Sequence, residues 1–280
     1  MKNQNELDNL GQNEIHASRR EFITNSGKVA LASVAFGASV APLFATNLSE
    51  NATSKNSINS NANAANSSEN TANSPKILII GANGSVARVV TQDLLDNSKV
   101  NLRLYLRNAK RLASVARQNP QRIELFEGNA LNKNALKKAM NGVDVVYANL
   151  SGSDIAQMAQ TITQAMHEAG LKRLVWISAR GVYQNEYAEL ANRPVGVLPP
   201  LSVNHAQAVR VVEKSGLDYT IIRAPHFTNA DEIDYTLTRK GESFAKEPAE
   251  ISRKSIAHLV RRLCLKQDFG IGESFGISKK

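Results

Sequence analysis

Short runs of aliphatic residues alternate with segments of helical periodicity from Lys76 onward. The run Lys76–Ile80 (KILII) has no polar position after its first residue, which is typical of a strand buried on both faces of a parallel sheet. Comparable runs lie at 101–106, 122–126, 143–147 and 174–178, and between them apolar positions recur every three or four residues. This alternation predicts an α/β fold with a doubly wound parallel sheet.

The N-terminal region has a different pattern. Its apolar stretch, residues 29–45, is shorter than the roughly 20 residues that a membrane-spanning helix needs, so it fits the core of an export signal better. The preceding residues Ser18 to Ile23 (SRREFI) resemble the twin-arginine (Tat) export signal at each defined position, with Arg19 and Arg20 as the pair. The resemblance implies residues 1–45 as the signal, the Tat export machinery as a partner and a periplasmic location, with an uncleaved membrane anchor as the alternative.

Residues 46–75 predict a disordered linker. Between positions 47 and 74 the chain carries nine asparagines and seven serines among 28 residues and almost no large apolar side chain. Such a segment buries too little surface to offset the entropy of ordering it. The folded domain is therefore expected to span residues 76–280.

Charge and cysteine content narrow the classes of function. The chain has a net charge of +9, but its basic residues are scattered and form no aromatic-interleaved stripe, so we expect no nucleic acid partner. We assign the excess to an anionic cofactor and a solvated basic surface. The single Cys264 excludes an intramolecular disulfide framework and a cysteine-cluster metal site, and its apolar surroundings predict a buried thiol. No metal site is predicted.

The turn after the first predicted strand is rich in glycine. Gly81, Asn83, Gly84, Ser85 and Val86 join this strand to a predicted helix. Glycines permit a tight turn and a close approach of backbone N–H groups to a pyrophosphate, and the helix N-terminus favours an anion. The strand before and the helix after make this a predicted dinucleotide-binding turn.

Four residues after later strands complete the predicted cofactor site. The second strand ends at Arg107, where an NAD enzyme usually has an acidic residue for the ribose hydroxyl, so NADP(H) is predicted, with NAD as the alternative. Asn129 is placed near the adenine, and Asn149 and Ser178 follow the fourth and fifth strands beside the cofactor crevice.

From residue 76 to residue 280 the chain resembles the atypical short-chain dehydrogenases/reductases of the NmrA-like and flavin-reductase-like group. The resemblance rests on the glycine turn 81–87, on VWISA at 175–179 and on SGLDYTIIRAP at 215–225. It implies a Rossmann-type domain with a small C-terminal substrate cap, for which segments 193–200 and 227–244 are the candidates.

The acid–base dyad of classical members, Tyr-x-x-x-Lys, is absent. The residue four positions after Tyr183 is Tyr187, and the residue four positions after Tyr187 is Ala191, so neither tyrosine is followed by the lysine. The candidate catalytic residues are Ser178, Tyr183 and His226. His205 is a further candidate for the site, but exposure to solvent or a hydrogen bond at a helix start explains its presence more simply. Ser178 could equally cap its strand, and Tyr183 could equally serve packing.

These observations predict an exported NAD(P)H-dependent oxidoreductase that reduces a small-molecule substrate, namely a flavin-like, quinone-like or small carbonyl acceptor. The alternative is a non-catalytic NAD(P)-binding sensor of the NmrA-like type, which the missing dyad favours and which export disfavours. A third hypothesis is an activity on a sugar nucleotide or an isomerase activity.

Overall fold

The computed structural model describes residues 75–183, 186, 200–244 and 249–280. The predicted export signal and nearly all of the predicted linker lie outside these residues. The strands are β1 Lys76–Ile80, β2 Asn101–Leu106, β3 Ile123–Glu127, β4 Val145–Ala148, β5 Arg173–Ala179, β6 Asp218–Ala224, β7 His226–Thr228, β8 Thr236–Thr238, β9 Glu250–Ser252 and β10 Glu273–Ser278. The helices are α1 Ser85–Asn97, α2 Ala113–Gln118, α3 Lys133–Met140, α4 Ile155–Glu168, α5 Pro200–Glu213 and α6 Arg253–Leu265, and a 3-10 helix at Ala109–Leu112 precedes α2.

The central sheet confirms the predicted doubly wound Rossmann-type fold. Its strand order is β3-β2-β1-β4-β5-β6-β10-β8, and every neighbouring pair is parallel except β10 with β8. The chain reverses direction across the sheet between β1 and β4, so a crevice opens at the carboxyl ends of these two strands. Part of segment 227–244, predicted as cap, instead extends the sheet as β8.

Helices cover both faces of the sheet, which explains why the strands are apolar at successive positions. In β1, Ile77 and Ile79 pack in the core beneath α1 and α6, whereas Leu78 and Ile80 pack in the core beneath α3, α4 and α5. Cys264 lies in the α1–α6 core, and its thiol is buried as predicted. Burial raises the pKa of this thiol to about 12, so it stays neutral and unreactive.

Several arginines hold the amino edge of the sheet together. Arg122 donates to the carbonyl oxygens of Leu94, Leu95, Ser98 and Val100, at 2.8 to 3.2 Å, where α1 ends. Arg173, 3 % exposed, donates to the carbonyls of Asp218, Leu263 and Phe269. These cations satisfy carbonyl groups that a helix end or a loop leaves unpaired. Part of the excess of basic residues therefore supports the fold itself. The sequence alone had assigned this excess only to a cofactor and to a solvated surface.

A fully buried ion pair holds the segment after β5 against the sheet. Arg223 on β6 and Glu186 are both 0 % exposed and form an ion pair, and Glu186 Oε2 also accepts from the Gly181 N–H at 3.0 Å. The aromatic ring of Phe244 lies near Arg223 and near Arg180, with centroid distances of 5.7 and 4.6 Å. Removing one partner of such a pair leaves the other charge buried without compensation.

We therefore expect Glu186→Leu to lower the free energy of unfolding by about 3–5 kcal/mol. The double variant Glu186→Leu/Arg223→Met, which removes both charges, should lose less than the single variant. The control Asp231→Ala breaks the exposed pair with Lys254 and should cost at most about 1 kcal/mol. Urea unfolding measures all three, and a Glu186→Leu loss as small as that of the control would contradict this assignment.

No helix in the part of the chain that the structure describes is long and apolar enough to cross a membrane.

Candidate functional site

The glycine turn is closed by backbone hydrogen bonds at the carboxyl end of β1. The N–H groups of Gly81 and Ala82 donate to the carbonyl oxygen of Tyr105 on β2, at 3.0 and 3.3 Å, and the Gly84 N–H donates to the Gly81 carbonyl at 2.9 Å. Gly81 has a φ of +79°, which L residues with a side chain rarely adopt. The turn therefore needs glycine at position 81 for its backbone alone.

Helix α1 begins at this turn with unsatisfied backbone donors. The residue that precedes the helix, Gly84, offers no side-chain cap, and the first turn of the helix contains no acidic residue. By contrast, Asn132 caps α3 and Ser252 caps α6 through their side-chain oxygens, and α4, which also lacks a side-chain cap hydrogen bond, begins at the carboxylate Asp154. The start of α1 thus fits the phosphate groups of a dinucleotide.

The predicted residues of this turn contribute in different ways. Ser85 is exposed and Asn83 is half-buried, so their side chains can reach a ligand. The side chain of Val86 is 2 % exposed and belongs to the core, so only its N–H group is available for binding.

Asn149 packs directly on the glycine turn. Its N–H donates to the Ile80 carbonyl at 2.9 Å, and its Oδ1 accepts from the buried Tyr147 hydroxyl at 3.4 Å. A Cβ atom on Gly81 would collide with the Asn149 backbone carbonyl, and a Cβ atom on Gly84 would collide with the Asn149 side-chain nitrogen. Asn149 therefore leaves no room for a side chain at position 81 or position 84. The sequence did not reveal this role of Asn149.

Gly84→Ala is expected to destabilise the protein by about 1–3 kcal/mol and to weaken NADPH binding, because the added methyl group displaces Asn149. The backbone of Gly84, with φ −61° and ψ 151°, accepts alanine, so Gly84→Ala/Asn149→Ala should recover most of the loss. Gly81→Ala is the matched control: it collides with a backbone atom, and Asn149→Ala should not rescue it. Urea unfolding and NADPH fluorescence titration measure both effects. Additive losses in the Gly84 cycle would disprove the contact.

Arg107 follows β2 beside the glycine turn. It is exposed and forms no hydrogen bond or ion pair with another described residue, so its guanidinium can bind a ligand. A carboxylate lies on the next strand, since Glu127 pairs with Leu106. Glu127 Oε2 accepts from the Ala109 N–H at 2.8 Å, which uses this carboxylate to fix the loop that carries Arg107.

Asn129 lies after β3, at the same edge. Its backbone carbonyl accepts from the Tyr105 hydroxyl at 2.8 Å, and its Oδ1 accepts from the Leu131 N–H at 3.0 Å. The exposed Nδ2 group and the second lone pair of Oδ1 are left for a ligand. Burial raises the pKa of Tyr105 to about 12, which keeps this anchoring hydroxyl protonated.

Ser178 and His205 form a buried pair at the carboxyl end of β5. The Ser178 Oγ lies 3.3 Å from His205 Nδ1, and the two residues are 4 % and 8 % exposed. Burial lowers the pKa of His205, so its imidazole is neutral near pH 7. Sequence reasoning gave His205 an exposed or helix-start position, whereas it lies within α5 on the helix face that packs on the sheet. The sequence did contain a signal for this position, because His205 is spaced from the buried residues Ala208, Val209 and Val212 as residues on one face of a helix are.

Tyr183 has separate partners. Its hydroxyl donates to Glu213 Oε1 at 2.7 Å, and its ring lies near Arg223 and Lys240, with centroid distances of 5.3 and 4.5 Å. Burial, with a smaller contribution from Glu213, raises the pKa of Tyr183 above its ordinary value. A hydroxyl held this way is a poor proton donor to a substrate. The structure therefore brings Ser178 together with His205 and not with Tyr183.

His226, the third candidate catalytic residue, is exposed on β7 and forms no hydrogen bond with another described residue. The neighbouring Phe227 is 40 % exposed, with the Arg253 guanidinium 5.4 Å from its ring centroid. Because β7 follows β6 directly, His226 lies beyond the carboxyl end of β6, and it takes no part in the Ser178–His205 hydrogen bond.

The chain is similar to several known proteins. Residues 81–267 match the family described as NAD(P)H-binding. A Rossmann-fold NAD(P)-binding family protein from Shigella flexneri is 34 % identical, with a TM-score of 0.61, and the alignment covers 73 % of this chain and 93 % of that one. A short-chain dehydrogenase/reductase from Veillonella parvula DSM 2008 in complex with NADP has a TM-score of 0.64 at 23 % identity, covering 73 % and 94 % of the two chains. The uncharacterized sugar epimerase YhfK of Bacillus subtilis (strain 168) is 28 % identical over 158 residues, covering 53 % of this chain and 70 % of that protein.

The chain belongs to the NAD(P)H-binding family of Rossmann-fold proteins. The predicted class of cofactor, NAD(P), is thereby confirmed. Its residues fit the cofactor. The glycine turn and the uncapped start of α1 follow β1, and the exposed Arg107 follows the neighbouring β2.

Proposed function

We propose that this protein is an NADPH-dependent reductase of a small-molecule acceptor. The observation that carries the proposal is the uncapped start of α1 at the β1–β4 crevice, with Arg107 exposed at the end of the adjacent β2. The first fits the pyrophosphate and the second fits a 2′-phosphate on the adenosine ribose. In the similar Veillonella parvula structure the bound cofactor is NADP.

The preference for NADPH over NADH follows from the groups near Arg107. In an NADH site the residue after this strand is usually an acid that accepts from the ribose hydroxyl, whereas here it is Arg107, and the Glu127 carboxylate of the next strand accepts from the Ala109 N–H. The exposed cations Arg107, Lys110 and Arg111 remain for an anion. A planar guanidinium binds a phosphate through two parallel hydrogen bonds, so Arg107 discriminates between the two cofactors.

Arg107→Ala should weaken NADPH binding by about 1.5–3 kcal/mol and leave NADH binding nearly unchanged, because only NADPH carries the 2′-phosphate. The control Arg117→Ala removes the same charge from an exposed position on α2 and should change neither affinity. Fluorescence titration of each variant with both cofactors measures the difference. Equal affinities of the parent protein for NADPH and NADH would refute the assignment.

The acceptor is a flavin-like, quinone-like or small carbonyl compound. A bound NADPH supplies a hydride, and acceptors that are good electron sinks make few demands on a protein acid. The absence of the Tyr-x-x-x-Lys dyad and the engagement of Tyr183 by Glu213 agree with such acceptors. A sensor without turnover would not need the buried Ser178–His205 pair, and this pair therefore favours an enzyme over the alternative function.

We further propose that the protein is exported by the twin-arginine route. That route carries folded proteins, so the domain can bind NADP(H) before it leaves the cytoplasm. Bound cofactor stabilises the folded state by RT ln(1 + [L]/Kd), which is about 2.7 kcal/mol at a hundredfold excess over Kd. The motif at Ser18 to Ile23 supports this location.

Replacing Arg19 and Arg20 by lysine should retain the protein in the cytoplasm, because the export machinery reads the guanidinium pair. Lys28→Arg, which changes a basic residue outside the motif, is the control and should leave export intact. Cell fractionation followed by immunoblotting measures the distribution. Periplasmic recovery of the double-lysine variant would show that the motif is not an export signal.

A further inference from the structure

The Ser178–His205 pair lies at the carboxyl end of β5, two strands away from the glycine turn. Strand β5 is separated from β1 by β4 alone. At the usual spacing of neighbouring strands, this places β5 about 10 Å from the strand that carries the pyrophosphate turn. Ala148 pairs with Trp176, so Ser178 lies further toward the carboxyl edge than the end of β4. A dinucleotide whose pyrophosphate is held at the start of α1 would therefore extend toward Ser178 along this edge.

The pair is held rigidly from two elements. Ser178 extends from β5 on the same face as Trp176, which packs in the core beneath α5. His205 comes from α5, whose next buried turns carry Ala208, Val209 and Val212. The hydroxyl and the imidazole are shielded from bulk water, so water competes poorly as a proton source at this point.

We propose that Ser178 and His205 form a proton relay in place of the missing tyrosine–lysine dyad, and that the reaction it serves interconverts a carbonyl group and an alcohol. The inference rests on the proposed NADPH-dependent function and narrows its acceptors to compounds with a carbonyl oxygen that must gain a proton in the site. Ser178 is the catalytic residue, and His205 is the residue that acts through it.

The step balances with these groups alone. A bound NADPH supplies a hydride to the carbonyl carbon. The Ser178 hydroxyl gives its proton to the carbonyl oxygen, which becomes the alcohol, and Ser178 Oγ takes a proton from Nδ1–H of the His205 imidazolium. His205, which is 8 % exposed, becomes neutral and regains a proton from solvent between turnovers, so carbonyl, NADPH and one proton yield alcohol and NADP⁺. In the reverse direction the proton passes from the alcohol through Ser178 to neutral His205.

The protonation state of His205 sets a pH dependence. Burial lowers its pKa below the ordinary 6.5, and no charged side chain in the described ranges shifts it further. The titratable groups on the elements packed against it are Arg210 and Glu213 on α5, His167 and Glu168 on α4, Arg173 and Arg180 on or after β5, and Asp218, Tyr219 and Arg223 on β6. Reduction needs the imidazolium and should slow as the pH rises through this lowered pKa, whereas alcohol oxidation needs the neutral ring and should speed up over the same range.

The test compares Ser178→Ala and His205→Asn with the matched control Tyr183→Phe. With 4-nitrobenzaldehyde and 2,3-butanedione as carbonyl probes, Ser178→Ala should lower kcat by about 10²–10⁴-fold, while Tyr183→Phe should lower it less than about threefold. His205→Asn keeps a hydrogen-bonding group near Ser178 but does not titrate, so the pH dependence of kcat should disappear. NADPH affinity should stay within about twofold of the parent in His205→Asn and Tyr183→Phe, since neither residue belongs to the predicted cofactor site.

A second measurement needs no turnover. In NMR spectra of the folded parent protein, the nitrogen chemical shift of His205 Nδ1 reports its hydrogen bond to Ser178. Ser178→Ala should change this shift, and Tyr183→Phe should not. An unchanged shift in Ser178→Ala would overturn the pair itself.

The outcomes separate the two proposals. A parent protein that binds no NADPH would overturn the proposed function. A parent that binds NADPH but reduces only FMN, or a Ser178→Ala variant that keeps its aldehyde reduction, would leave the cofactor assignment standing and overturn the proton relay.

Discussion

The parallel pairing of β1 with β4 is the constraint on which the cofactor site depends. It brings Asn149 against the glycine turn, where the Asn149 N–H binds the Ile80 carbonyl and the rest of the residue occupies the space that a Cβ atom on Gly81 or Gly84 would need. The turn is thus shaped from the neighbouring strand as well as from its own sequence. Because the same pairing opens the crevice, it both shapes the glycine turn and places this turn at the crevice.

The charges of the domain serve two purposes. Arg122 and Arg173 satisfy carbonyl groups at the amino edge, and Arg223 compensates Glu186 in the core, so these cations are part of the fold. Arg107 at the carboxyl edge has no protein partner among the described residues and remains for a ligand. A positive net charge says nothing about which arginines belong to which group, because that depends on which carbonyls and carboxylates lie within reach.

The candidate site combines two halves on one sheet edge. The first, at β1 and β2, fits the charged end of a dinucleotide, and the second, at β5, holds a serine and a histidine away from water. Tyr183, which the sequence offered as a catalytic residue, instead binds Glu213 over the face of the sheet. The Ser178 hydroxyl of the second half is paired with an imidazole from α5, and the sequence has no Tyr-x-x-x-Lys dyad after this strand.

The sequence by itself determined the strand runs, the glycine turn and the buried Cys264, because continuous aliphatic runs and helical spacing reflect burial on each element separately. It also indicated Arg107, since that residue directly follows its strand. It missed β10 and the sheet role of β8, whose pairing joins segments far apart in the chain. Only the tertiary structure placed Asn149 on Gly84 and His205 beside Ser178, because each contact requires two elements to be packed before the side chains meet. Local pattern decides which residues enter the core, and packing decides which polar groups face each other there.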